Sequence, residues 1–259
     1  VLKTFLPLVT PEGVVKPVIQ IVIEEALSAG AEEIALIIQP GTDAAFRNYF
    51  NAEPRAGVFE KLPSALRNAA ENLRAIGARI TYIPQEKPQG FGDAVLRAEK
   101  WVGNEPFLVL LGDHIYRSEQ ARSVAGQIVD LFQDYGDSQS VVGIYEEKLG
   151  NVRHYGTVCG EWASENILQL AAVAEKPTED EAKAYLSVQQ HGRKTWFCFN
   201  GIYALRPSIF EILHQHVAEP ASGEIQLTSA LQALIEKEGV KGLAVDGKHY
   251  DTGIPSAYA

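Results

Sequence analysis

The stretch LVLLGDHIY, residues 108–116, runs four apolar residues straight into Gly112, Asp113 and His114. A short unbroken apolar run of this kind reads as a buried strand of an α/β sheet rather than as a half-exposed one. A carboxylate beside buried sheet is costly unless it is hydrogen-bonded, paired or bound to a metal. Two readings follow: a turn begins at Gly112, or the strand delivers Asp113 to a site.

Working outward, the N-terminal half alternates between the two periods. VIQIVIEEALSAG after Pro17 reads as a helix stopped by Gly30, and EEIALIIQP as a buried strand. TDAAFRNYF reads as a helix capped by Thr42 or Asp43, and ALRNAAENLRAIG as a helix ended by Gly77. ARITYIPQ is a strand, DAVLRAEKWV a helix with Asp93 near its start, and FLVLLGD a strand. The C-terminal half is richer in strands: SVVGIYEE, YGTVCG, ILQLAAVAEKP and WFCFNGIYAL, with the helices EDEAKAYL, SIFEILHQHV and IQLTSALQALIEKEG between or after them. VKGLAVDG and KHYDTG follow. Such alternation predicts an α/β fold with a doubly wound mixed, mainly parallel sheet of Rossmann-like type and a strand-rich extension. No repeat, low-complexity tract or polar linker divides the chain, so residues 1–259 are expected to form a single domain.

Composition narrows the partners. With 46% hydrophobic and 22% charged residues the chain is of ordinary globular make-up. A formal net charge of −10 is ill suited to holding a phosphate backbone, so no nucleic-acid partner is expected. No apolar run approaches the roughly 18 to 20 residues that cross a bilayer, and nothing resembles a signal peptide, so we expect no membrane partner and a cytoplasmic setting. Cys159 and Cys198 have no metal-binding spacing and suit a reduced compartment. An anionic substrate would need a divalent cation as intermediary.

In open α/β sheets, ligands bind outside the carboxyl ends of the strands. Gln85, Asp113, the pair Glu175–Lys176, and Asp251 each end or follow a strand. Singly each is weak, since strand-end aspartates usually cap turns. In QEKPQGFGDAV, residues 85–95, Gly90 and Gly92 lie in a short loop before a helix, where bare backbone can approach a flat ligand. Gln85 offers an acceptor and donors side by side, which suits the edge of a nucleobase. An ordinary β–α turn has the same composition.

The order of the motifs decides. VLKTFLPLVTPEGVVKPVIQ (1–20), QGFGDAV (89–95), GDHIY (112–116), YGTV (155–158), VAEKP (173–177), FNGIYAL (199–205), GEIQLTSAL (223–231) and YDTG (250–253) occur in this order. The set resembles the sugar-1-phosphate nucleotidyltransferases, most nearly the bacterial UTP–glucose-1-phosphate uridylyltransferases. That resemblance implies transfer of a uridylyl group from UTP to glucose-1-phosphate. Asp113 and Asp251 would hold Mg²⁺, Lys3 would stabilise the NTP phosphates, and Lys176 would grip the sugar phosphate. Gln85 and Gly90 would read the uracil. Glu175 would accept sugar hydroxyls, with the backbone at Gly156 and Gly201 leaving room for the ring. His114 is assigned to a structural turn contact and Glu224 to helix capping. Two alternatives stay open: the same fold with dTTP, ATP or another hexose phosphate, and a non-catalytic relative that binds sugar nucleotides. A homo-oligomer is also open. The family's G-x-G-T-R loop and the strand before it are not among these residues, and we expect them ahead of Val1, with a helix continuing past SAYA. On that reading Val1 lies at the pocket rim.

Overall fold

The computed structural model describes residues 2–53, 57–136, 138–218 and 223–253; Val1 and the SAYA end lie outside them. A short hairpin of β1 (Pro7–Val9) and β2 (Val15–Pro17) precedes helix α1 (Val18–Ser28). Pro17 stands at the α1 N-cap, where its fixed φ suits the entry. The helix buries Val18, Ile19, Val22, Ile23 and Ala26, one face at helical spacing. β3 (Ile34–Ile38) and β4 (Ile80–Pro84) pair in parallel, with α2 (Asp43–Phe50) and α3 (Ser64–Gly77) in the connection between them. α4 (Phe91–Arg97) and α5 (Glu99–Val102) lead to β5 (Phe107–Leu110) and β6 (His114–Ser118).

The remainder comprises α6 (Val124–Asp134), β7 (Ser140–Glu147), β8 (Gly156–Trp162), β9 (Ile167–Glu175), α7 (Glu179–Tyr185), β10 (Val188–Gln190), β11 (Arg193–Leu205), α8 (Ser208–Ala218), α9 (Leu227–Glu238), β12 (Val240–Ala244) and β13 (Gly247–Asp251). The largest sheet runs β10-β11-β7-β12-β9-β8, and β5 joins the second half of β11. β8 also pairs with β11, so the strand-rich part curls back on itself. The long strand β11 serves both halves of the molecule. Its Phe197 and Cys198 meet β8, and its Ile202–Leu205 stretch meets β5. His249 and Asp251 of β13 lie opposite Tyr116 and His114 of β6.

The sheet is mixed, as expected, but among the described pairings only β3–β4 and β7–β12 are parallel. Short connections explain the rest. β8 and β9 are joined by residues 163–166, and β10 and β11 by His191 and Gly192, both at positive φ. Such tight links can only turn a strand back antiparallel to its predecessor. The helix expected over DAVLRAEKWV breaks at Ala98 into α4 and α5. β6 and the β1–β2 hairpin were not anticipated. Asp113 is not the last residue of a strand: β5 stops at Leu110, and Asp113 sits in the turn before β6.

The main core packs the sheet against α4, α8 and α9. Ile144, Leu168, Leu205, Ile209, Leu213 and Leu231 are all fully enclosed there. Burial of each such side chain contributes on the order of 1.5–3 kcal/mol. A second feature lies between the two halves. β3 is paired on one side by β4, and β5 on one side by β11; among the described residues no strand pairs with their other edges. Between those edges runs a slot of about 940 Å³, lined by Leu36 and Ile37 of β3, Leu108 and Val109 of β5, and Val22 and Val95 of the flanking helices.

Candidate active site

The two aspartates come from distant parts of the sequence and are tied by Thr252. Its main-chain N–H and hydroxyl both donate to the Asp113 carbonyl, at 3.0 and 2.8 Å. Asp251 closes β13, and the Gly253 N–H donates to its Oδ1 at 2.7 Å. A methyl built on Gly253 would stand 2.9 Å from Asp251 Oδ1 and 3.6 Å from Asp113 Oδ2. The two carboxylates therefore face the same small gap, and glycine at 253 keeps that gap open. Carboxylate oxygens from two strands on either side of a gap are the donor chemistry that Mg²⁺ accepts.

Behind Asp251 lies a buried layer the sequence did not foretell. His114 Nδ1 donates to the Asn200 carbonyl at 3.1 Å, which fixes its tautomer, because that carbonyl can only accept. Its Nε2 faces Asp251 Oδ2 at 3.8 Å. The Tyr116 hydroxyl donates to the same Asn200 carbonyl at 2.9 Å. The His249 ring lies 5.2 Å from that of His114. Burial first, and the neighbouring His114 second, push the His249 imidazole down to about 4, so it is neutral at physiological pH.

At the end of β9, Glu175 is the cross-strand partner of Gly156. The Thr228 hydroxyl, from the first turn of α9, donates to Glu175 Oε2 at 2.6 Å. Lys176 adopts φ of +46°, uncommon for a residue with a side chain, and its N–H donates to the Tyr155 carbonyl at 3.1 Å. Its ammonium stands 3.8 Å from Glu175 and is otherwise turned to solvent. The two expected sugar-side glycines have an internal reason to be glycine. A methyl at Gly156 would lie 2.7 Å from the Phe199 ring, and one at Gly201 (φ +91°) would meet His114, Leu111 and Tyr116 within 3 Å. The space their missing side chains leave is thus filled by the protein itself.

Gln85 continues from β4, its N–H bonded to the Ile38 carbonyl at 2.8 Å. Its side-chain amide donates to Asp93 Oδ2 at 2.7 Å and to the Gly90 carbonyl at 3.2 Å. The expectation that Gln85 offers both donors and an acceptor to a base is corrected here: both amide hydrogens are engaged inside the protein, and the oxygen alone is left. Gly92 lies in the first turn of α4 rather than in the loop expected for it, and this start of α4 is pinned to the segment before α9. Gly92 N–H donates to the Ile225 carbonyl, and Ile225 N–H to that of Gln89, at 2.8 and 2.7 Å. Gly90 has φ of +114°, and a methyl on it would come within 2.6 Å of the Ile225 carbonyl oxygen.

These groups are contiguous. Ile225 holds the start of α4 and Thr228, three residues on, holds Glu175. Phe199 lies against Gly156 and Gly201 against His114, two residues apart on β11. Thr4 reaches Gly112, next to Asp113, at 3.7 Å from the position of a methyl there, so Lys3 starts at the same sheet end as the aspartates. Lys3 is exposed and makes no ion pair among the described residues. Gln226 Nε2 donates to Glu224 at 2.7 Å. Asp93, Thr228, Thr252 and Asn200 were missed as contributors, although all four stood inside motifs quoted for other reasons. No described helix is long and apolar enough to cross a membrane.

A family model described as nucleotidyl transferase matches residues 4–259. UTP–glucose-1-phosphate uridylyltransferase YngB of Bacillus subtilis is 33% identical over 97% of this chain and 77% of its own. The enzyme of the same name from Pseudomonas aeruginosa is 30% identical over 99% of this chain and 85% of its own. Among solved structures, an apo UDP-glucose pyrophosphorylase superposes with a TM-score of 0.81 at 31% identity, over 99% of this chain and 87% of that one. A UDP-glucose pyrophosphorylase complexed with UDP-glucose gives 0.78 at 31% identity, with the same coverage. A match that runs from Thr4 onward through every motif, on a backbone shared with solved enzymes, makes this chain a member of the nucleotidyl transferase family.

Proposed function

We propose that the chain transfers the uridylyl group of UTP to glucose-1-phosphate, giving UDP-glucose and pyrophosphate. The observation that carries this reading is the convergence of Asp113 and Asp251 on the gap kept open by Gly253. An oxygen of the sugar phosphate attacks the α-phosphorus of UTP; one P–O bond forms as the bond to the departing pyrophosphate breaks. The attacking oxygen is already anionic, so nothing needs to remove a proton. A site whose inner histidine, His249, stays neutral and buried is consistent with that. The task left to the protein is to bring two anions together in line.

Asp113 and Asp251 would hold Mg²⁺, which when bound supplies positive charge between the phosphates. Lys3, with no carboxylate partner among the described residues, is available to the triphosphate. Lys176 serves the acceptor phosphate, and Glu175, oriented by Thr228, accepts hydroxyls of the sugar. Gln85 meets the base with its oxygen, beside Gly90. Gly156 and Gly201 contribute backbone to the sugar side. The test is pyrophosphate release by the full-length protein across a panel of nucleoside triphosphates and sugar-1-phosphates. UTP with glucose-1-phosphate should give the largest kcat/KM. Tight binding of UDP-glucose with no pyrophosphate from any pair would favour the non-catalytic relative instead.

A further inference from the structure

The buried carboxylate of Asp93 has no part in the chemistry described so far, yet it decides what Gln85 can offer. Asp93 is entirely enclosed at the start of α4. One of its oxygens accepts from Gln85 Nε2 and the other from Arg97 Nη2, at 2.7 and 2.5 Å. The second partner of Gln85 Nε2 is the Gly90 carbonyl. Both partners can only accept, so the amide nitrogen must face them. The reverse orientation would set the amide oxygen against two other oxygens and leave buried charge poorly satisfied. Gln85 therefore turns its oxygen outward.

An outward acceptor distinguishes pyrimidines. N3 of uracil and thymine carries a hydrogen and donates; N3 of cytosine carries none and accepts. We propose that Asp93 is a positioning residue for nucleotide choice: by locking the Gln85 amide it admits UTP and rejects CTP. This rests on the reading of Gln85 as the base-facing residue. Asp93 itself does not touch the base, and Arg97, half-exposed and donor-only, keeps its second oxygen occupied.

The geometry gives an unusual expectation for Asp93→Asn. Arg97 can only donate, so the asparagine must turn its oxygen to Arg97 and its NH₂ to Gln85. The shorter of the two contacts that hold the Gln85 amide then favours its oxygen, against the longer one to the Gly90 carbonyl, so the flipped amide, with its NH₂ towards the base, becomes populated. The ratio of kcat/KM for UTP over CTP should fall by at least about tenfold, since a mispaired hydrogen-bonding group in a closed site discriminates at that level or above. In Asp93→Asn with Arg97→Leu, the asparagine is free to turn back, and the UTP preference should recover. Asp93→Leu removes the buried charge without a new polar group and safeguards the test against misfolding; the amide is then held by the Gly90 carbonyl alone, and the ratio should fall without inverting.

The experiment is steady-state pyrophosphate release from full-length wild type and the three variants, with UTP and CTP at fixed glucose-1-phosphate. A wild type that prefers UTP, with Asp93→Asn and Asp93→Leu losing activity equally towards both nucleotides, overturns the proposal and leaves Gln85 as base reader. A wild type that turns over UTP and CTP alike overturns the reading of Gln85, and the proposal with it.

Discussion

Thr252 binds the main-chain carbonyl of Asp113, not its carboxylate, so side-chain changes at 113 should spare the turn. Asp113→Asn is thus expected to lower kcat/KM by a factor of about 10² or more, the scale for losing one preorganised charge contact, while the thermal midpoint stays unchanged. Coincident loss of fold and activity would refute that separation. Gly253→Ala places a methyl between the two carboxylates without demanding an unusual φ, and should abolish stimulation by Mg²⁺, read by titrating the metal against activity. Lys176→Ala should raise the KM for glucose-1-phosphate about tenfold and leave that for UTP nearly unchanged, as for removal of one charge-assisted contact. Equal effects on both substrates would assign Lys176 to neither. At this scale the sequence spoke unevenly. Asp113 and Glu175 were legible because an ionised group at the end of an apolar run is a local anomaly, whereas Asp251, after the polar GKHY, stood out only through the resemblance of YDTG. Asp93 was not: an aspartate in a first helical turn is ordinarily a solvated helix-start charge, and only packing against Gln85 and Arg97 makes it buried. Thr228 was hidden for the same reason, its partner lying 53 positions away.

Helices α1 and α6 are joined by a carboxylate that acts as a cap from outside. Glu25 of α1 accepts from the Ala125 N–H, in the first turn of α6, at 2.7 Å. Burial raises its carboxyl above the usual range, with the α6 amides opposing. The folded state therefore holds the proton more tightly than the unfolded one. Stability from this group is complete below pH 4.5, the unfolded value, and declines as pH rises through the folded value. Glu25→Gln keeps the acceptor and removes the buried charge, so denaturant midpoints for the variant should lose that decline. Glu25→Ala should cost about 1 kcal/mol through the lost cap; an identical pH profile in wild type and Glu25→Gln would refute the assignment. The elements themselves were largely readable, since α1, α3, α9, β3 and β9 carry clean periods of 3.6 or long apolar runs. β6 was not, because its HIYRS is short and half-exposed, and its pairing with β13 is a contact between residues more than 120 apart.

The molecule as a whole is organised about β11, which pairs with β7 along both its halves while its other neighbour changes from β8 to β5. The mixed α/β class followed from the sequence because alternating periods report layers. The predominance of antiparallel pairs did not, because strand direction is set by connection length and by the long-range return of β11. The slot between β3 and β5 is the remaining feature at this scale, each of these strands having one edge with no strand partner among the described residues. Its consequence can be followed by the rate at which amide protons trade with heavy water. In residues 1–259 taken alone, the amides of Ile34–Ile38 that point away from β4, and those of Phe107–Leu110 that point away from β11, should trade rapidly despite their apolar surroundings. The amides of β7, flanked by both β11 and β12, should trade slowest. A chain in which the slot is filled should show β3 and β5 retarded to the level of β7. Equal protection of all three strands in residues 1–259 alone would mean that the slot closes on itself.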